Sequence, residues 1–262
     1  MMKKVTVLDV QGMKDGGKKI PVLTAYDYSF ARIIDEAGIP VIIVGDSAGM
    51  VVAGYENTLS VTVDDMIYHT RSVVRGRKKA LVVVDMPFMS YQASIEDGRR
   101  NAGRLVKEGG AEAVKLEGGE RTRDVIAAIA DMDVPVMGHI GLTPQSIHRM
   151  GGYRIQGRGE KERELLFEDA VAVEQAGAFS VVLEGIPHDL SKEITAALSI
   201  PTIGIGAGPF CDGQVLVIHD LLGLYRDITP SYVKRYADLY GVISSAVETY
   251  KGEVEKEEFP KQ

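Results

Sequence analysis

A chain of 262 residues with a formal net charge of −7 is long enough for one large domain or two small ones, and barrels of alternating strands and helices use about 250 residues as a single domain. Hydrophobic residues make up 45% and charged residues 26%, and the basic residues are dispersed, which argues against a nucleic-acid or anionic membrane surface and leaves small molecules as ligands. The opening MMKKVTVLDV lacks the apolar centre of a signal peptide and no run of about 18 apolar residues could span a bilayer, so a cytoplasmic protein with no membrane partner is expected. Cys211, the only cysteine, can form neither an intramolecular disulfide nor by itself a zinc site, and is expected to be buried filler.

Apolar, β-branched runs recur along the chain in a regular order. VLTAY (22–26) and VIIVG (41–45) come first, and Thr62 with Asp65 then has capping-box spacing, predicting a helix over 63–75. ALVVVD (80–85) is followed by Ser94 and Asp97 at the same spacing, with a helix predicted over 95–108. AVKLE (113–117), a helix over 121–131, VPVMGH (134–139), a helix over 160–176, SVVLE (180–184) and a helix over 189–198 continue the alternation. PTIGIG (201–206) and VLVIH (215–219) complete eight candidate strands, joined by a link, GAGPFCDGQ, that is too short for a full helix. Short strands apolar on both faces belong in a parallel sheet covered on its outside. Strand then helix, repeated to eight strands with no linker or composition break, predicts one (β/α)8 TIM barrel spanning 1–262. Thr229-Pro230 resembles an N-cap with proline behind it, predicting a C-terminal helical extension to about residue 250.

In such a barrel the chemistry gathers at the C-terminal ends of the strands. The second strand ends at Asp46-Ser47, the third at Asp85, the fourth carries Lys115 and Glu117, the fifth ends at His139 and the sixth at Glu184. Lys115 and Glu117 are two apart and share a face. Buried charges pair or bind an ion. Asp46, Asp85 and Glu117 are hard oxygen donors, with one histidine nearby and no cysteine, so Mg²⁺ is the ion expected.

Each residue also has an ordinary structural reading. A strand-end Asp serves equally as a helix cap or turn former, Lys115 with Glu117 as an ion pair, and His139 as a hydrogen-bonding group in a turn. Five consecutive strands delivering ionisable groups to one rim make a single site the better reading. The glycine-rich GIGAGP (204–209) matches neither a P-loop nor a full dinucleotide fingerprint and fits a close-packed turn as well as an anion cradle. His69 and the tyrosines of YVKRYADLYG (232–241) read as helix packing.

The stretches VGDSAGM (44–50), DMPFMSY (85–91), VKLEGG (114–119), GHIGLTPQS (138–146), LEGIP (183–187) and IGIGAGPFCDGQVLVIHDLLG (203–223) resemble the 3-methyl-2-oxobutanoate (ketopantoate) hydroxymethyltransferase family over nearly the whole chain. The resemblance implies a barrel of the phosphoenolpyruvate/pyruvate type, a homodecamer of two stacked rings, and the first step towards pantothenate and coenzyme A. It places Asp46, Asp85 and Glu117 as Mg²⁺ ligands and Asp46, Ser47, Asp85 and Lys115 around the 2-oxo acid. Glu184 takes the place of the proton-abstracting base, His139 lines the pocket, and 5,10-methylenetetrahydrofolate is the co-substrate. Two positions depart from the family pattern: Ala48 and Gly185 stand where larger residues are common. Three rivals use the same residues differently: a Mg²⁺-dependent lyase or aldolase on another 2-oxo acid, a Schiff-base aldolase using Lys115, and a barrel kept only as a binding scaffold.

Overall fold

The computed structural model describes residues 3–227 and 230–260. Eight strands close into a barrel in chain order, each parallel to the next from the first through the eighth. They are β1 (Ile20–Thr24), β2 (Val41–Val44), β3 (Leu81–Asp85), β4 (Ala113–Glu117), β5 (Val136–Gly141), β6 (Ser180–Glu184), β7 (Thr202–Ile205) and β8 (Gly213–Leu216). The helices are α1 (Val7–Asp15), α2 (Tyr28–Glu36), the short α3 (Ala48–Val51), α4 (Val63–Gly76), α5 (Ile95–Arg104), α6 (Arg123–Ala130), the short α7 (Ile147–Met150), α8 (Glu160–Gln175), α9 (His188–Ala197), the short α10 (Ile218–Leu221) and α11 (Leu239–Glu255).

The capping signals act as read. Thr62 Oγ1 accepts from the Asp65 amide while Asp65 Oδ2 accepts from the Thr62 amide, satisfying donors that the first turn of α4 leaves free. Ser94 Oγ caps α5 by accepting from the Asp97 amide, without the return bond to the Ser94 amide that would complete a capping box, and α5 runs on as a wider turn, Leu105–Gly109, so the predicted 95–108 is helical throughout. The link between β7 and β8 carries no helix. Its glycines turn with positive φ at Gly206 and Gly208, and a side chain at Gly208 would run into the His188 ring. Cys211 is buried beside Gly204, and burial pushes its thiol pKa up. His69 is packed, its Nδ1 2.8 Å from the Tyr26 carbonyl oxygen and its ring edge-on to Tyr26 and Tyr68.

Strand parity decides what points into the barrel. Ile20, Val22, Val41, Ile43, Leu81, Val83, Ala113, Met137, Val182, Ile203 and Val215 form one buried apolar cluster, the odd-numbered positions of β2 to β5, β7 and β8 and the even-numbered ones of β1 and β6. Continuing that alternation towards the strand ends brings Asp85, Lys115, Glu117, His139 and Glu184 to the inside of the mouth. The opposite end is closed by α1, whose Val10 is buried in the same cluster with Val5, Val7 and Met13 packed around it. Charges at this closed end are tied to backbone. Asp35 accepts from the Lys78, Lys79 and Ala80 amides, Glu174 from Ser199 Oγ and the Ser199 and Ile200 amides, and Lys14 donates to the carbonyls of Thr195, Leu198 and Ile200 and to Asp212.

The chain divides into two compact units, one reaching to Val215 and one from Leu216 to its end. In the second, the predicted tail helix begins later than expected. Thr229 lies outside the described residues, and α11 starts only at Leu239, where Asp238 caps it by accepting from the Gly241 amide. Tyr232 and Tyr236 therefore precede the helix, and Arg226 pairs with Asp238 at 2.8 Å while its guanidinium lies 4.0 Å from the Tyr240 ring centre. Among the described residues no helix is long and apolar enough to cross a membrane.

Candidate active site

The residues singled out at the strand ends meet at the open mouth of the barrel. Asp46 follows β2 in a turn whose backbone N–H donates to Asp85 Oδ2 at 3.0 Å. Beside it the Ser47 hydroxyl lies 2.8 Å from the hydroxyl of Tyr26, a buried residue just past β1. Asp85 pairs with Lys115 in the register of β3 against β4, and Lys115 Nζ stands 3.2 Å from Asp85 Oδ1. Glu117 lies opposite His139 across β4 and β5, its Oε1 3.7 Å from His139 Nδ1. Glu184 ends β6 with Oε2 3.0 Å from His139 Nε2, close but not aligned as a hydrogen bond. Gly185 follows at φ +55, a left-handed turn that a larger residue would enter under strain.

Lysine has no acceptor, so the contact of 3.2 Å between Lys115 Nζ and His139 Nδ1 is an ammonium donating to the ring. That assigns the ring proton to Nε2, the nitrogen facing Glu184. Burial and then the Lys115 charge hold His139 well below its ordinary pKa, so it is neutral. Lys115 is opposed by its own burial, which would lower it, but Asp85, Glu117 and Asp46 keep it raised and charged. Burial and then the Asp85 carboxylate push Asp46 up to about 7. Burial and then Asp46 raise Glu117. Burial also raises Glu184 to about 7 against the pull of Lys115. Four carboxyl groups thus share one ammonium in a dry mouth, a costly arrangement unless something else neutralises it.

Sequence reasoning passed over three residues that organise this rim. Gln145, in the turn after β5, donates from Nε2 to Asp46 Oδ2 at 2.8 Å and from its backbone N to Glu117 Oε2 at 3.0 Å. The Tyr91 hydroxyl donates to Gln145 Oε1 at 2.8 Å and accepts from the Glu117 amide at 3.0 Å. Tyr26 holds Ser47. Tyr26 ends the predicted strand VLTAY, so asking what each strand ends with would have found it; the partnerships of Gln145 and Tyr91 leave no spacing signal. Three of the four rim carboxylates thus have one oxygen held by an N–H donor: Asp46 Oδ2, Asp85 Oδ2 and Glu117 Oε2. Asp46 Oδ1 and Glu117 Oε1 take no hydrogen bond, and Asp85 Oδ1 faces the Lys115 ammonium at 3.2 Å. Among the described residues, no three His, Cys, Asp or Glu side chains converge into a metal cage.

Fold and rim define a (β/α)8 barrel enzyme with its acid–base groups at the C-terminal mouth. Solved structures share this fold at low identity. The match to "Crystal Structure of Phosphonopyruvate Hydrolase Complex with Oxalate and Mg++" has a TM-score of 0.65 at 12% identity over 98% of this chain and 88% of that one. The match to 2,3-dimethylmalate lyase, titled a PEP mutase/isocitrate lyase superfamily member, has a TM-score of 0.62 at 14% identity over 100% and 91%. Sequence narrows the class. A model of the family described as ketopantoate hydroxymethyltransferase matches residues 4–262, and the chain belongs to that family. Relatives named 3-methyl-2-oxobutanoate hydroxymethyltransferase are 64% identical in Geobacter metallireducens and 66% identical in Geobacter sulfurreducens, each over 99% of this chain and 97% of the relative.

Proposed function

We propose that this chain transfers a hydroxymethyl group from 5,10-methylenetetrahydrofolate to 3-methyl-2-oxobutanoate, with water consumed and 2-dehydropantoate and tetrahydrofolate released, the first step of pantothenate and coenzyme A biosynthesis. The observation that carries the chemistry is Glu184, a buried carboxyl raised to about 7 at the mouth of the barrel and set against His139 and Lys115. A base of that pKa is matched to removing the C3 proton of a 2-oxo acid near neutral pH.

Asp46, Asp85 and Glu117 would hold Mg²⁺. The donor set fits in its chemistry: hard oxygens, with Asp46 Oδ1 and Glu117 Oε1 free of hydrogen bonds and Asp85 Oδ1 paired only with Lys115, and a surplus of negative charge. An open set fits as well as a cage would, because Mg²⁺ keeps several waters and is bound through a few carboxylates together with its substrate. When bound, the ion supplies Lewis-acid polarisation of the keto group. The chain's own residues do the rest. Ser47 and Lys115 bind and orient the oxo acid beside Asp46 and Asp85, and Lys115 Nζ offsets the negative charge that develops on its oxygen. Glu184 takes the proton, and His139, its Nδ1 occupied by Lys115, stays neutral with Nε2 3.0 Å from Glu184 Oε2. The carbon so activated attacks the one-carbon unit of the folate.

The same reading takes residues 1–262 as one catalytic domain acting in the cytoplasm as a homo-oligomer, a decamer of two rings. Its oligomeric part draws support from α11, which buries no side chain and exposes Val242, Ile243, Val247 and Tyr250. The test of the chemistry is proton NMR of 3-methyl-2-oxobutanoate in D₂O with the protein, with Mg²⁺ or with EDTA, before any folate is added. Metal-dependent loss of the C3 proton signal is expected. No exchange, and no product once folate is supplied, would assign the rim to another 2-oxo acid.

A further inference from the structure

Gln145 is 7% exposed, and both ends of its side-chain amide are saturated. Nε2 donates to Asp46 Oδ2 at 2.8 Å and to the Met86 carbonyl at 2.9 Å. Oε1 accepts from the Tyr91 hydroxyl at 2.8 Å and from Gln92 Nε2 at 2.9 Å. The orientation of the amide is unambiguous, because a flip would set Oε1 against a carboxylate and a carbonyl, neither of which can donate. Its backbone N–H holds Glu117 Oε2 at 3.0 Å. One residue therefore fixes two carboxylates borne by different strands, and fixes each by a single oxygen. Left to themselves, Asp46 and Glu117 would repel and rotate apart.

We propose that Gln145 is a positioning residue, setting the Asp46 and Glu117 carboxylates with their unbonded oxygens available to a divalent cation. It touches neither substrate nor ion; it acts through the carboxylates, as hydrogen-bonding partners behind metal ligands do. This rests on the reading of Asp46, Asp85 and Glu117 as the cation's ligands.

The test uses the full chain, with Mn²⁺ titrated and the free ion followed by electron paramagnetic resonance. Gln145→Met keeps the side chain's length and removes its hydrogen bonds. Its Mn²⁺ dissociation constant should rise about tenfold or more, with circular dichroism and melting temperature close to wild type, and its slowed C3-proton exchange should recover in part as metal is raised. An affinity within about twofold of wild type, or a weakening that only follows a fall in melting temperature, overturns the proposal. If Gln145→Met does not fold, Gln92→Leu serves: it removes one donor to Oε1 from an exposed position and should weaken Mn²⁺ binding about two- to threefold, and an unchanged affinity overturns the proposal. A wild-type chain that binds no Mn²⁺ removes the cation reading itself and this proposal with it. A wild type that binds Mn²⁺ and exchanges the C3 proton, matched on both counts by Gln145→Met, removes only the role given to Gln145.

Discussion

At the closed end of the barrel Asp35 and Glu174 each accept three hydrogen bonds, and although burial works to raise them, those donors hold both carboxyls below their ordinary pKa. At the open end burial wins, because Asp46, Glu117 and Glu184 are deeper and have fewer donors, and all three are raised. The same side-chain chemistry stabilises one end and costs stability at the other. The difference lies in how many N–H groups the local backbone aims at each oxygen.

The largest effect that could break this comparison is expected at Glu184. Glu184→Gln should leave the fold intact and slow C3-proton exchange by about 10²- to 10⁴-fold, measured by NMR in D₂O; near-wild-type exchange would take the base role away. The same variant should melt higher than wild type above pH 7. A carboxyl raised to about 7 from 4.5 in the folded state imposes its cost once it must ionise and imposes none below the unfolded value. Asp35→Ala should do the reverse, leaving three amides without their acceptor and removing about 3 kcal/mol of unfolding free energy in a denaturant titration, with activity per folded molecule unchanged. Asp85→Ala should raise the Mg²⁺ requirement at least about tenfold, an amount a metal titration of the exchange reaction would show, with little loss of stability. The smallest effect is the pH profile: wild-type exchange should fall about tenfold between pH 8 and pH 6 as Glu184 gains its proton, while the stability held by Asp35 and Glu174 is lost only as pH falls through their lowered folded values, below the ordinary carboxylate range. A flat exchange profile would separate the rim's burial from its chemistry.

Much of this contrast is written along single strands. Parity alone carried Lys115 and Glu117 to one face and, with the strand ends, brought Asp85, His139 and Glu184 to the same mouth. The closed end was less legible. Thr6 and Asp9 form a capping box that starts α1, a helix not expected from MMKKVTVLDV, while α2 is signalled at its end by Gly38 and lacks a capping-box signal at its start, where Asp27 caps it. VLVIH reads as one strand, the eighth, but its apolar residues serve two elements, the end of β8 and the turn of α10. Proline at 230 suggested a helix start that the backbone delays to Leu239. Gln145 was invisible for a different reason: its partners lie 54 and 99 residues away in sequence, and no spacing links positions that only barrel closure brings together.

The plug formed by α1 has a consequence for traffic. With Val10 in the apolar core at the floor, that core lies between α1 and the rim, so Lys115 and Glu184 are approached from the side of the strand ends. Two reactants in one blind-ended cup must stack by depth. A molecule lying against the strand ends is then covered by whatever is seated above it.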